Sequence, residues 1–495
     1  MGGVTTPSAA VQPTRDDPVV ADAAEVIGGP IGRRFHATAA SWWTPLRVVF
    51  VLCFVMFTLG VVMRAPCAAV GFDGPQSYVK QCYTDVGVLF PERGLDRDTF
   101  PYSSRSDGTE VVEYPVLQGA VMWVVALLVP NDLDATAAVQ RYYGITAVAM
   151  FALALIAVWA TMRTARARPW DAAIVAAVPS IALVGTLNWD LLPVALTALF
   201  LLAWSRSEPW IAGILLGLAV AAKFYPVVLL GPLLLVCWRA ARMSAFLRVT
   251  IAALAVWAAV NLPIAVGFSE GWGRFFELST TRGADFGSIW LALDLSGITV
   301  SDRAASTLSG ALFVLLCIGI AALAWCAPRR PRFASLALLT IAAFVLSAKV
   351  YSPQYALWLL PFVALARPRW RDVLIWQGGQ AIYYVGVWLW LQGFVEADRA
   401  LSDPAYAVLI LVQVASTLWI CGVVVRDVLR PECDPVRADG VDDPTGGPCE
   451  GRADRPGMPW LTRGARPAPM IDRDDAPTTA PDPEPKDSAL KERAL

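Results

Sequence analysis

Histidine is nearly missing from this chain: 495 residues contain one, His36. Imidazole-based metal sites and His-based acid/base chemistry therefore find little support. Cysteine is sparse as well. The nine cysteines are scattered without a CxxC pair, which argues against zinc and iron–sulfur frames. Charge is scarce: 16% of residues are charged, against ~25% in an average soluble domain. A basic surplus is absent too, since 40 Lys and Arg face 41 Asp and Glu, so nucleic acid is not an expected partner. The first residues lack a signal peptide's order of basic start, apolar run and small-residue cleavage site.

What is present is apolar sequence. Hydrophobic residues make up 56% and mean hydropathy is +0.53, which excludes an ordinary water-soluble enzyme. Twelve apolar runs lie between Val48 and Val425, the first Val48–Met63 and the last Pro404–Val425. The expected fold is an all-α polytopic membrane protein with about 12 transmembrane helices. Arginines mark every second boundary: Arg47 before the first run, then Arg163, Arg206, Arg239, Arg329, Arg367 and Arg426. By the positive-inside rule both termini are cytoplasmic. Residues 1–41 and 426–495, rich in Pro and Asp, read as disordered cytoplasmic tails around a membrane domain at 42–425. Val116–Pro130 breaks the alternation if it spans. It reads as a helix lying in the outer interface, with a thirteenth span as the alternative.

The outer segments carry the chemistry-bearing residues. They are a first loop (64–141), a second long loop (269–303) and short turns around Asn188-Trp189-Asp190, Lys223-Phe224-Tyr225-Pro226 and Lys349-Val350-Tyr351-Ser352-Pro353-Gln354. Polar and aromatic residues at a membrane boundary suit a polar cleft with apolar walls, as lipid-linked substrates require. A helix from Asp85 through Val86, Val88, Leu89 and Phe90 would set one carboxylate beside an apolar face. There it is either a general base for a hydroxyl or a solvated loop acid. Glu113 is a second site acid or a partner of the next helix's dipole. Lys223 and Lys349 are point charges for a lipid phosphate or snorkelling interface residues. Asp190 pairs with one of these lysines or caps the following helix. Arg282 and Ser288 are phosphate or sugar candidates, or plain surface charge; Tyr114, Tyr225, Tyr351 and Gln354 are candidate substrate contacts. Asp96-Arg97-Asp98 is a bare DxD, read as a solvated turn, so no metal site is expected. Cys67 and Cys82 are the cysteines assigned to the outer face, where a disulfide is allowed.

These residues, in this order, resemble the GT-C superfamily of integral membrane glycosyltransferases, and within it glycosyltransferase family 87, which includes actinobacterial mannosyltransferases. The most specific stretches are Cys82–Gly94, Glu113–Gly119, Asn188–Pro193, Ala222–Pro226, Arg282–Trp290 and Lys349–Leu359. The resemblance implies a GT-C-like bundle with interfacial helices in its first outer loop. It places Asp85 as catalytic base, Tyr114-Pro115 as the turn after that loop, and Lys223 at the donor phosphate, with Arg282 or Lys349 assisting. It further implies an inverting transfer of a hexose, mannose foremost, from a polyprenyl-phosphate sugar to an envelope glycolipid or glycan. The reaction would take place on the outer face of the plasma membrane, with no cofactor required. One departure stands out: where related mannosyltransferases carry a His, this chain has Ser352-Pro353-Gln354-Tyr355. A second class fits the same layout, a secondary transporter or lipid-linked-sugar flippase. It predicts charged residues at mid-membrane and internal repeats.

Overall fold

The computed structural model describes residues 17–32, 43–74, 76–97, 99–104, 110–396, 398, 400–440 and 442–455. The described residues form helices, turns and loops without strands. The order begins with α1 (Pro18–Gly32) and α2 (Pro45–Ala68). The first long loop holds α3 (Gln76–Val79), α4 (Asp85–Glu92) and α5 (Val116–Ala126). After α6 (Ala135–Thr164) comes a broken stretch with α7 (Ala173–Ala176) and α8 (Pro179–Val184). Next follow α9 (Leu191–Ser205), α10 (Pro209–Ala222), α11 (Leu230–Arg239) and α12 (Met243–Gly267). The second long loop carries α13 (Ser269–Thr281) and α14 (Ile289–Leu295). Then come α15 (Asp302–Cys326), α16 (Phe333–Ser347), α17 (Ala356–Ala366), α18 (Trp370–Leu391) and α19 (Asp403–Leu429).

Among the described helices, α2, α6, α12, α15 and α19 are long and apolar enough to cross a membrane. Six apolar helices are shorter, at 10–17 residues. The two groups occupy different places. α15 turns Val314, Leu315 and Ile318 outward, each more than half exposed, as a lipid-facing helix does. Every residue of α17 is buried, so it is apolar all round because it lies in the core. Close approach is set by small residues where helices cross. A Cβ on Gly213 or Gly217 of α10 would stand 2.5 Å from Val249 O or Ala253 O of α12, so only glycine fits this small-xxx-small seam.

The apolar run 172–187 is not one helix. A proline break at Arg168-Pro169 precedes it and a second at Val178-Pro179 divides it, because proline cannot donate to the helical ladder. The backbone freed at the second break is satisfied from elsewhere: Gln377 Oε1 accepts from Ser180 N at 3.1 Å and Ser180 Oγ at 2.8 Å. At the far end of α8, the buried Arg64 donates to Ala182 O (3.4 Å) and Leu183 O (2.7 Å). A cation at a helix C-terminus meets the orphan carbonyls there.

Both expected tails are partly folded. Asp17 accepts from Trp370 N at 2.8 Å and α1 follows it; residues 1–16 and 33–42, His36 among them, lie outside the described residues. The segment from Arg426 is not a free tail up to residue 455. It finishes α19 and then packs across the end of the bundle opposite Asp85. Asp434 forms a two-armed ion pair with Arg332 (2.7 and 2.9 Å), and Asp454 accepts from Arg239 Nε at 2.8 Å. Asp443 caps α16 by accepting from Phe333 N at 3.0 Å. Composition alone suggested disorder because the segment has little apolar area; it is held by matched charges. Residues 456–495 lie outside the described residues. The first loop is also shorter than expected, because α6 starts at Ala135 with Asp134 accepting from Ala137 N at 3.0 Å.

Candidate active site

Asp85 opens α4. Thr84, in extended backbone, caps the helix by accepting from Val86 N at 3.2 Å. The same threonine donates to Thr186 O at 2.7 Å, and Asp85 N donates to Leu187 O at 2.9 Å. Thus the loop after α8 is the mount for Asp85. Three residues beyond Leu187, the same loop delivers Asp190, which is fully buried. The disulfide Cys67–Cys82 ties the end of α2 to the approach to Asp85.

The Asp85 carboxylate accepts from the Tyr114 hydroxyl at 3.4 Å. Burial pushes its carboxyl up to about 6, while a Tyr83 hydrogen bond and the Lys223 charge pull it down and Asp190 and Glu113 push it up again. Such a group is ionised at neutral pH yet basic enough to accept a proton. Lys223 ends α10 and pairs with Asp190 at 2.9 Å. The other oxygen of Asp190 accepts from Trp358 Nε1 at 2.9 Å. The Lys223 ammonium also lies 4.9 Å from the Tyr114 ring centroid. Tyr114 therefore joins the two halves, its hydroxyl on Asp85 and its ring under Lys223. Trp358 is sandwiched by Tyr225 (4.3 Å) and Tyr355 (3.8 Å), giving one wall a flat aromatic face.

Four candidates from the sequence thus converge: Asp85, Tyr114, Asp190 and Lys223, with Tyr225 behind Trp358. Others take different places. Glu113 is clamped by Arg93 in a two-armed pair of 2.7 and 2.9 Å, tying the segment before α5 to the end of α4. Arg282 pairs with Asp285. Lys349 spends its three protons on Arg282 O (2.5 Å), Ser306 Oγ (3.0 Å) and Thr280 O (3.3 Å), and so closes the second long loop. Ser288 caps α14 by accepting from Leu291 N at 3.1 Å. Tyr351 is buried, with its hydroxyl 2.8 Å from Thr417 Oγ1, and Gln354 sits half-buried on the turn Pro353–Tyr355. The segments 282–288 and 349–354 form a second cluster, with Asp285 N donating to Lys349 O and Tyr351 N to Phe286 O, both at 2.8 Å. Tyr355 lies within electrostatic range of both Lys223–Asp190 and Arg282–Asp285.

Sequence reading missed Tyr83, Arg93, Tyr355 and Trp358. The last two are spaced i, i+3 and share a helical face, a signal that looks like core in so apolar a run. Among the described residues there is no group of three or more His, Cys, Asp or Glu placed to hold a metal ion. Asp96 and Arg97 sit in a short turn, Leu95–Arg97; Asp98 lies outside the described residues.

An apolar groove leads away from this cluster. It lies between α10, the turn Tyr225–Leu229 and α12, has a volume of about 280 Å³, and is lined by Leu216, Val220, Phe224, Leu254 and Trp257. Val220, Phe224 and Trp257 also border a small cleft that reaches Tyr114.

Residues 113–353 match the model of glycosyltransferase family 87, a span that includes Tyr114, Asp190 and Lys223. No curated protein matches the chain. Two solved structures are similar at a distance. ArnT from Cupriavidus metallidurans, bound to undecaprenyl phosphate, shares 17% identity and a TM-score of 0.42 over 78% of each chain. The archaeal oligosaccharyltransferase AglB from Archaeoglobus fulgidus, in complex with an inhibitory peptide and a dolichol-phosphate, shares 13% identity and a TM-score of 0.37. That match covers 78% of this chain and 56% of the other.

Proposed function

We propose that the chain is an inverting mannosyltransferase of the plasma membrane, acting on an envelope glycolipid or glycan at the outer face. The bridge from Asp85 through Tyr114 to Lys223 carries this reading, because it sets a base and a cation a ring's width apart. The positive-inside pattern of the arginines supports an orientation with both termini in the cytoplasm and this cluster outside. The isoprenoid chain of the donor lies in the apolar groove beside Val220 and Phe224, and its phosphate reaches Lys223. Asp190 holds the lysine in place until the phosphate shares its charge.

In the reaction, the acceptor hydroxyl attacks the anomeric carbon from the face opposite the phosphate. The bond between that carbon and the phosphate oxygen breaks, and its electron pair leaves with the phosphate beside Lys223. The hydroxyl proton passes to Asp85. A single displacement inverts the anomeric centre. The test uses the full chain in lipid with radiolabelled polyprenyl-phosphate mannose and total envelope lipid, beside Asp85→Asn. A labelled glycolipid from the wild type alone supports the reading. Transfer by Asp85→Asn at the wild-type rate removes Asp85 as base, and transfer from an arabinose or glucose donor instead removes mannose. Vesicle uptake of lipid-linked sugar without any product shifts the protein to the transporter class.

A further inference from the structure

A second cavity lies outside the cluster just described. It measures about 520 Å³, within the roughly 300–1,000 Å³ of small-ligand sites. Its walls are the turn after α2, the outer side of α4, and the start of α6. Phe72, Phe90 and Val139 form an apolar floor, and Asp73, Glu92 and Asp96 stand at the rim. Neither lysine nor arginine lines it. Arg93 and Arg97 approach Glu92 and Asp96, at 3.6 and 3.9 Å, from outside the lining.

We propose that this cavity binds the uncharged glycan portion of the acceptor. The assignment rests on the glycosyltransferase reading and divides its substrates. The donor side has Lys223 and an apolar groove, which suit a lipid phosphate. The cavity has the opposite character. Carboxylates accept hydrogen bonds from sugar hydroxyls and repel a phosphate, while an apolar floor packs against the C–H faces of a pyranose ring. Its position fits the displacement. Asp85, Val88 and Glu92 stand at i, i+3 and i+7 on one face of α4, and Val88 and Glu92 line the cavity. A glycan seated there extends along α4 towards Asp85, one turn before Val88. Val70 to Asp73 of the wall lie inside the loop closed by Cys67–Cys82, which fixes that wall relative to α4.

The experiment is saturation-transfer NMR on the full chain in nanodiscs, with mannobiose, its 6-phosphate and octyl mannobioside as probes. Two variants alter the lining: Thr136→Trp fills the cavity from the exposed start of α6, and Glu92→Gln removes one rim charge. Thermal melting checks that both fold. Mannobiose is expected to bind the wild type, and Thr136→Trp to weaken it about tenfold, the equivalent of about 1.4 kcal/mol. The phosphorylated disaccharide is expected to be rejected by the wild type and partly accepted by Glu92→Gln. Tighter binding of the octyl glycoside identifies a glycolipid acceptor, and equal binding a soluble glycan; either supports the site. No mannobiose binding to the wild type, equal binding to all three proteins, or preference for the phosphate overturns it. Transfer assays on the same samples separate the two readings. If the wild type transfers sugar and Thr136→Trp keeps its acceptor KM, the cavity assignment falls alone. If mannobiose binds in the cavity and no sugar is transferred, the glycosyltransferase reading falls alone.

Discussion

The two ends of the bundle use the same charged residues in opposite ways. At the end away from Asp85, the buried arginines are paired with acids. Arg332 meets Asp434 with two arms and spends its other donors on Leu365 O and Ala366 O, both at 2.6 Å. Arg367 lies between Asp372 (2.8 Å) and Asp427 (2.9 Å). At the other end Lys223 has its carboxylate, but Asp85 is held by tyrosine hydroxyls and sees the lysine only across the Tyr114 ring. Saturated pairs fix a structure. A carboxylate left with weak donors in a buried place keeps its basicity for a reaction.

The contrast is broken most directly by exchanging which end is damaged. Asp85→Asn keeps the shape and removes the proposed base, so transfer is expected to fall about 10²- to 10⁴-fold with little change in melting temperature. Initial rates at saturating donor measure it. A normal rate, or a large drop in stability, would place Asp85 with the structural acids.

Asp434→Ala should do the reverse. It leaves Arg332, whose side chain has 0% exposure, without its counter-charge. Breaking one partner of a buried pair costs about 3–5 kcal/mol. The expected result is a clear fall in melting temperature, with kcat close to wild type at low temperature where the variant is still folded. Lost activity in stable protein would mean that the far end is coupled to the reaction.

The pH profile sharpens the comparison further. As the proposed base Asp85 must be ionised to act, and burial raises its carboxyl to about 6. Transfer is therefore expected to be flat above neutral pH and to decline as pH falls through about 6. At pH 5 it should be about tenfold below the plateau. A limb that stays near 4, the ordinary carboxylate range, would mean that the acid is solvated and has no special basicity.

Much of this contrast was legible in the chain before folding, but unevenly. Arginine at alternate boundaries gave the helical ends away, and Asp85 was visible as an acid followed by Val86, Val88 and Leu89. The Asp190–Lys223 pair was accessible as one of two alternatives, since each sits at a run end. Local pattern has no access to partners far along the chain. Arg332 and Asp434 are 102 residues apart, and an Asp- and Pro-rich segment looks disordered until its arginines are in place. Trp358 was hidden for another reason. In a run as apolar as Ala356–Ala366 an indole is indistinguishable from core, and its hydrogen bond to Asp190 spans 168 residues. Lys349 carried the signature of a phosphate ligand, a lysine at the end of an apolar run. The backbone carbonyls that occupy it belong to a loop whose path no spacing rule predicts.

The smallest effect belongs to a pair that looks much like the others on paper. Arg166 and Glu450 meet at 2.7 Å, the same distance as Arg332 and Asp434, yet their side chains are 40% and 30% exposed. Water screens both charges, and each long side chain loses rotamer freedom to hold the contact. Glu450→Ala is therefore expected to cost only about 0.2–1 kcal/mol, and less in high salt. Arg166 retains its bond to Ser205 O at 3.0 Å, so the loop between α6 and the broken stretch stays anchored. Denaturation of Glu450→Ala beside Asp434→Ala at two ionic strengths measures the difference. Equal losses would show that the segment after α19 docks through its total charge. A loss confined to Asp434→Ala would show that it docks through the one place where the charges are buried.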